Sequence, residues 1–189
     1  MESALIVSAT TKSVAYLSEL VSAASFNQVV SLPSCGEARR LLLERDFDLV
    51  IINAPLKDES GESLARHVAT KGMSQVILIV DSEFCEAVSE INENEGILTI
   101  SKPLDKAIFW AMLKLANVTH NRLRNINAEN AKLKQRIEDI RIVDRAKCLL
   151  ISHLSMSEQD AHRLIEKQAM DLRASKRSIA EGIIKIYEN

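Results

Sequence analysis

The chain has 189 residues and a formal net charge of −2, and hydrophobic and charged residues make up 47% and 26% of it. This balance predicts a packed core and excludes wholesale disorder. Because the chain holds only 5 glycines and 3 prolines, it is poor in turn-forming residues, which argues against an all-β sandwich or barrel and favours helices.

The hydropathy pattern and the spacing of the cysteines further limit the class of protein that we expect. No signal-peptide pattern opens the chain and no stretch reaches the roughly 20 apolar residues of a membrane span, so we expect a cytoplasmic protein without membrane contact. Cys35, Cys85 and Cys148 show no CxxC or Cys/His ligand spacing. We therefore expect reduced thiols packed as small apolar side chains, with no metal site and no cofactor.

Five short aliphatic runs mark the first hundred residues, and their lack of alternation is typical of strands buried on both faces. They lie at residues 4–7, 29–32, 49–52, 76–80 and 97–100. Segments of helical length separate them. Ser34 with Glu37 forms a predicted capping box, and Ser82 precedes an acidic first turn. The pattern predicts an α/β fold: a five-stranded parallel sheet with helices on both faces.

The 78 residues between Pro103 and Gly182 contain neither Gly nor Pro, so helix is the default there. Asp105 is the predicted N-cap of a long helix. Apolar residues at a 3–4 spacing then predict a coiled-coil seam of about three heptads, which would form a parallel homodimer. A long amphipathic helix packed on its own domain is the alternative. The seam residues are Leu123, Ile126, Asn130, Leu133, Ile137 and Ile140.

Charge is distributed unevenly along the chain. Residues 1–115 carry 10 Lys and Arg against 16 Asp and Glu, a net −6, whereas residues 116–189 carry 14 against 10, a net +4. An anionic partner such as nucleic acid is therefore expected at the C-terminal third.

The five βα units that end in Ser101-Lys102-Pro103 resemble the receiver domain of two-component response regulators, over residues 3–116. The resemblance implies a flavodoxin-like fold. It also implies a phosphorylation pocket with an acidic pair after the first strand, an Asp ending the third and a Thr or Ser ending the fourth. The matching positions here are Ser8, Ala9, Asn53 and Val80, and Lys102 alone keeps the family's residue.

Those substitutions remove the chemistry of a phosphorylated receiver. An Asn amide is a poor nucleophile, and transfer to a carboxylate also needs a divalent cation to offset the charge of the phosphate. We expect a degenerate pocket in which Lys102 donates to Asn53 or to loop carbonyls, and in which Asp58 is solvated. The domain would then be a pseudo-receiver, a docking and dimerisation platform without enzymatic activity.

Three amphipathic helices are predicted from about residue 136 onward. The first continues the coiled-coil helix. The second begins after Ser157, which forms a capping box with Asp160, and the third begins near Ser175.

Four short motifs in this region resemble the ANTAR module, the RNA-binding antitermination domain of the AmiR and NasR regulators. In order, they are Ala146-Lys147 before Leu149-Leu150, Ser157 with Ala161, Ala169-Met170, and Ile179-Ala180. The resemblance implies a dimer that holds paired hairpins in an mRNA leader, so that an overlapping terminator cannot form. Control would come from a sequestering sensor protein rather than from phosphate.

The sequence therefore predicts three domains: a pseudo-receiver at 1–116, a coiled-coil dimerisation helix at 117–141 and an ANTAR domain at 142–189. Cationic side chains of the third are the candidate RNA-binding residues. They are Arg141, Arg145, Lys147, Arg173, Lys176 and Arg177.

Two other functions are compatible with this sequence. In one, the protein is a DNA-binding regulator whose basic third helix enters a major groove. In the other, it is a coiled-coil adaptor that binds no nucleic acid.

Overall fold

The computed structural model describes residues 1–24, 26–71 and 74–188. The chain divides into two compact units, Met1–Asn125 and Ile126–Asn189, each with its own core. No helix in the described part of the chain is long and apolar enough to cross a membrane.

The first unit is a parallel sheet wrapped by helices. Its strands have the order β2-β1-β3-β4-β5, and every neighbouring pair is parallel. This confirms the predicted α/β receiver fold. The strands are β1 (Ser3–Ser8), β2 (Gln28–Leu32), β3 (Leu49–Asn53), β4 (Gln75–Asp81) and β5 (Ile97–Lys102). The helices between them are α1 (Thr11–Ser22), α2 (Cys35–Glu44), α3 (Glu62–Lys71) and α4 (Ser82–Glu93).

Strands β1, β3 and β4 are buried on both faces, as their sequence predicts. The prediction is wrong for β2, an edge strand with no fully buried residue, and holds only in part for β5, the other edge strand. Leu5 faces one hydrophobic cluster, which includes Leu64 of α3, and Ile6 faces the other, which includes Leu17 of α1. Phe109 lies near the start of the long helix that follows β5, packs in the second cluster and is fully buried. Burial on both sides leaves the carboxyl edge of the sheet as the place where polar side chains can gather.

Helix starts follow the predicted caps with one exception. The Ser34 hydroxyl accepts from the Glu37 N–H at 3.2 Å, and the Asp105 carboxylate accepts from the N–H groups of Ala107 and Ile108. In α4, by contrast, Ser82 is the first helical residue, and the N-cap is Asp81, whose side chain makes no capping hydrogen bond.

Helix α4 exposes most of the side chains that the structure describes for it. None of its described hydrophobic side chains is fully buried, and Phe84 is 60% exposed. Asn92 is fully buried, but its side-chain amide forms no hydrogen bond with the described residues.

The long helix α5 (Lys106–Leu154) follows β5 and spans 49 residues. Its C-terminal part enters the second unit, where α6 (Glu158–Asp171) and α7 (Lys176–Tyr187) complete the three predicted helices. Ser157 and Ser175 cap α6 and α7 with their hydroxyls. Small side chains such as Ala146, Ala161 and Ala180 are fully buried, so the three helices can approach closely.

Candidate functional site

The carboxyl edge of the sheet carries an amide and a hydroxyl where receivers carry carboxylates. Ser8 and Asn53 are register partners on β1 and β3, and the Asn53 amide donates to the Ser8 hydroxyl at 3.0 Å. Ser8 is buried. The two side chains satisfy each other and bring no negative charge to this edge.

Lys102 is held by two other groups. Its ammonium donates to the carbonyl oxygen of Ala54, in the loop after β3, and forms an ion pair with Asp81 at 3.1 Å. The loop-carbonyl partner is one of the two that the sequence predicts. Val80 is buried in β4 opposite Ser101 and offers no hydroxyl to this edge.

A cavity of about 410 Å³ opens beside these residues, and Ala9, Asn53, Ile79 and Lys102 line part of it. None of the described residues that line it is Asp or Glu. A Mg²⁺ ion prefers carboxylate and carbonyl oxygens, so this lining does not suit one.

Asp58 is exposed, as the sequence predicts, and it also has partners in the backbone. Its carboxylate accepts from the N–H groups of Cys35 and Gly36 at 3.1 and 2.9 Å, at the start of α2. These backbone hydrogen bonds hold its pKa below the usual value. The local sequence gives no signal of this cap, because 22 residues separate Asp58 from Gly36.

The same corner brings Cys35 and Glu59 within reach of Asp58. Burial and the charge of Glu59 raise the pKa of the Cys35 thiol to about 12, so it stays protonated. The Glu59 carboxylate already accepts three hydrogen bonds from Arg39, at 2.9, 3.0 and 3.3 Å. A protonated thiol and two occupied carboxylates are poor metal ligands.

In the second unit, three of the predicted RNA-binding cations line one groove of about 610 Å³ between α5, α6 and the start of α7. They are Lys147, Lys176 and Arg177. His162 lies in the same lining. Cations of α5 and α7 thus meet at the N-terminal end of α7, where backbone N–H groups also favour anions.

Each of these cations already has a carboxylate partner. Arg177 forms ion pairs with Asp139 and Glu181, both at 2.8 Å. Lys147, which is 15% exposed, pairs with Asp144 at 2.7 Å and with Glu158 at 3.3 Å.

Lys176 pairs with Glu166, which also lies 3.2 Å from His162. The hydrogen bond and positive charge of Lys176 lower the pKa of Glu166. The pairs that join distant positions, such as Asp139 with Arg177 and Glu166 with Lys176, have no signal in the local sequence.

The other three predicted cations lie outside the groove lining. Arg141 is 74% exposed and has one long ion pair, at 3.8 Å to Glu138. Arg145 is bound by both oxygens of Glu188. Arg173 follows α6 with a positive φ of 49° and is exposed.

The predicted seam residues share one property: the apolar ones are partly exposed in the single chain, and Asn130 is exposed as well. Their exposed fractions are 39% for Leu123, 43% for Ile126, 47% for Leu133, 52% for Ile137 and 59% for Ile140.

Residues 131–184 match the model of the ANTAR domain, which covers α6 and most of α7 together with the C-terminal part of α5. The second unit contains an ANTAR domain. The structure therefore joins a receiver fold in the first unit to an ANTAR domain in the second.

Two curated proteins are similar to this chain in sequence. The transcriptional regulatory protein PdtaR of Mycobacterium tuberculosis is 25% identical over 138 residues, which cover 73% of this chain and 67% of the relative. The nitrate regulatory protein of Klebsiella oxytoca is 23% identical over 124 residues, or 61% of this chain and 30% of the relative.

Solved structures resemble the first unit. The signal receiver domain of an HD domain-containing protein from Pseudomonas fluorescens has a TM-score of 0.58 at 25% identity and covers 66% of this chain and 92% of that domain. A CheY-like receiver domain from Methylobacillus flagellatus has a TM-score of 0.53 at 23% identity, with 61% and 98% covered. Both support the receiver fold of the unit that precedes the ANTAR domain.

Proposed function

We propose that this protein is a cytoplasmic transcription antiterminator, which binds RNA hairpins in an mRNA leader through its ANTAR domain. The observation that carries the proposal is the ANTAR match over residues 131–184. The names of the two relatives, a transcriptional regulatory protein and a nitrate regulatory protein, support a regulatory role.

The cationic side chains of the groove favour a polyanionic ligand such as RNA. Lys147, Lys176 and Arg177 present their cationic groups around the N-terminal turn of α7. RNA phosphates would take the place of carboxylates such as Asp139 and Glu166 on these cations, because a phosphodiester offers the same paired oxygen acceptors. Arg141 and Arg145 would contact the RNA backbone from the neighbouring turns of α5.

Dimerisation is part of the proposal. The exposed apolar seam of α5 would pair with that of a second copy, with Asn130 setting the register. Two ANTAR domains would then hold two hairpins at once, which raises the effective concentration of the second hairpin once the first is bound.

Control by a partner protein, independent of phosphorylation, completes the proposal. The Ser8–Asn53 hydrogen bond occupies the position of the receiver's nucleophile, and Lys102 is held by Ala54 and Asp81. Because Asn53 offers no anionic nucleophile at the end of β3, regulation would come instead from a sensor protein that sequesters the dimer.

Gel-shift titrations at several salt concentrations test RNA binding. The ligands are a leader hairpin, the same stem with a scrambled loop, and a DNA duplex of equal length. We expect a preference for the cognate hairpin. Lys176→Ala with Arg177→Ala should remove about two phosphate contacts and so flatten the salt slope by about 1.4 to 1.8. Lys132→Ala with Lys185→Ala changes the charge equally outside the groove lining and should leave the slope unchanged.

Two results would contradict the proposal. A preference for the duplex would indicate a DNA-binding regulator instead. Equal affinity for all three ligands would leave only a nonspecific basic surface.

A further inference from the structure

The outward face of α6 carries cations that have no carboxylate partner. Ala161, Ile165 and Ala169 bury the inner face of the helix. Arg163 and Lys167 lie on the opposite face, at a spacing of four residues, and both are exposed. Neither forms an ion pair with any residue in the described part of the chain, in contrast to the cations of the groove.

Apolar side chains continue this face where α6 ends. Met170 is 78% exposed and Leu172 is 69% exposed. The Ala169-Met170 motif is thus divided by the structure: Ala169 packs in the core, whereas Met170 contributes nothing to it. Packing therefore accounts for only the first residue of the motif.

Arg173 extends the surface from an unusual backbone position. Its φ of 49° lies in the left-handed region, just after α6, where glycine is the usual residue. The turn is closed by a hydrogen bond from the Ala174 N–H to the Ala169 carbonyl at 2.9 Å. Arginine in this conformation strains the backbone. Its side chain forms no ion pair with a described residue, so no such contact in the folded chain compensates for the strain.

We propose that Arg163, Lys167, Met170, Leu172 and Arg173 form the surface that contacts the single-stranded loop of the hairpin, separate from the groove that holds its backbone. The inference rests on the proposed function and specifies which part of the RNA this surface contacts, namely the unpaired loop.

The chemistry of the surface suits an unpaired loop. Loop bases are splayed out and present flat faces, which apolar side chains and the arginine plane can cover, while free cations contact the adjacent phosphates. A paired stem hides those faces. Two exposed acidic residues, Asp160 and Asp171, also lie on α6. Neither forms an ion pair with the described cations of this surface, and Asp160 instead accepts a hydrogen bond from Ser157.

The test uses the full chain and an RNA hairpin with a fixed stem, whose loop is selected by the wild-type protein from a randomised pool. The comparison ligand is the blunt duplex of the same stem. Met170→Ala should bind the selected hairpin roughly fivefold more weakly and the duplex unchanged. Arg163→Ala with Lys167→Ala should lower the salt slope for the hairpin by about 1.4.

Arg173→Gly separates binding from folding. Glycine suits the left-handed backbone, so the melting temperature should not fall, while hairpin affinity should drop about tenfold. Ile186→Ala is the matched control for Met170, because Ile186 is also exposed, at 72%, but lies on α7. It should leave both affinities unchanged.

The outcomes distinguish this inference from the proposed function. If the wild type selects no hairpin over the duplex, the proposed function fails. If it selects one, but the α6 variants bind that hairpin as tightly as the wild type, the loop-contacting surface is refuted and the RNA-binding function stands. Equal losses for Ile186→Ala would also refute it.

Discussion

Ile137→Asp tests whether the exposed apolar side chains of α5 pair with a second copy. Ile137 is 52% exposed, so pairing would bury about half of it, or about 1 kcal/mol for each copy. Two facing carboxylates in the seam would add several kcal/mol of desolvation and repulsion. The sum, about 5 kcal/mol or more, raises the dissociation constant of the dimer by more than about a thousandfold.

Analytical ultracentrifugation of the full chain at micromolar concentration measures this change. Val118→Asp is the matched control, because Val118 is 64% exposed on the same helix and lies outside the seam spacing. We expect dimers for the wild type and the control, and monomers with unchanged helix content for Ile137→Asp. A wild type that sediments as a monomer, or an Ile137→Asp variant that remains dimeric, would refute the seam.

Five further outcomes are expected. Asn130→Leu should raise the melting temperature while broadening the distribution of oligomeric states, because a buried polar residue sets register at a cost in stability. Acetyl phosphate with Mg²⁺ should add no mass to the protein, and an acid-labile adduct at the end of β3 would contradict the pseudo-receiver. Burial lowers the pKa of His120 below its usual value despite the opposing charge of Asp48. Below about pH 6.5 the unfolded chain therefore binds more protons than the folded chain, so the free energy of unfolding should fall as the pH drops. His120→Gln should reduce this fall, which urea titrations at several pH values measure. Gly182→Ala adds a methyl group in open space within α7 and should stabilise the ANTAR domain by about 1 kcal/mol. Gly61→Ala should destabilise the first unit, because Gly61 has a φ of 92° and the new Cβ would lie 2.9 Å from the Ile52 side chain.

The strands and most helix caps could be predicted from the sequence because their causes are local. A buried parallel strand needs a short aliphatic run, and each predicted run lies within one observed strand. Ser34 and Ser157 cap helices through residues three positions away, so the spacing alone reveals them. The ANTAR motifs are likewise recognised within one continuous segment.

The electrostatics of the candidate site could not be predicted in the same way. Counting cations finds Arg145 and Arg177, but their partners Glu188 and Asp139 are 43 and 38 residues away and meet them only through folding. The unpaired cations of α6 have no distinguishing sequence signal either. Arg163 looks like any exposed helix residue until the positions of all carboxylates are known.

The exposure of most described side chains of α4 has a consequence for the order in which this fold opens. Local opening costs little where few apolar contacts are lost, and the buried amide of Asn92 would gain hydrogen bonds to water on exposure. Hydrogen exchange should therefore proceed faster at the amides of α4 than at those of α3, where Leu64, Ala65 and Val68 are buried. One edge of the sheet would thus exchange through brief, separate openings, while its centre stays protected until the whole domain unfolds.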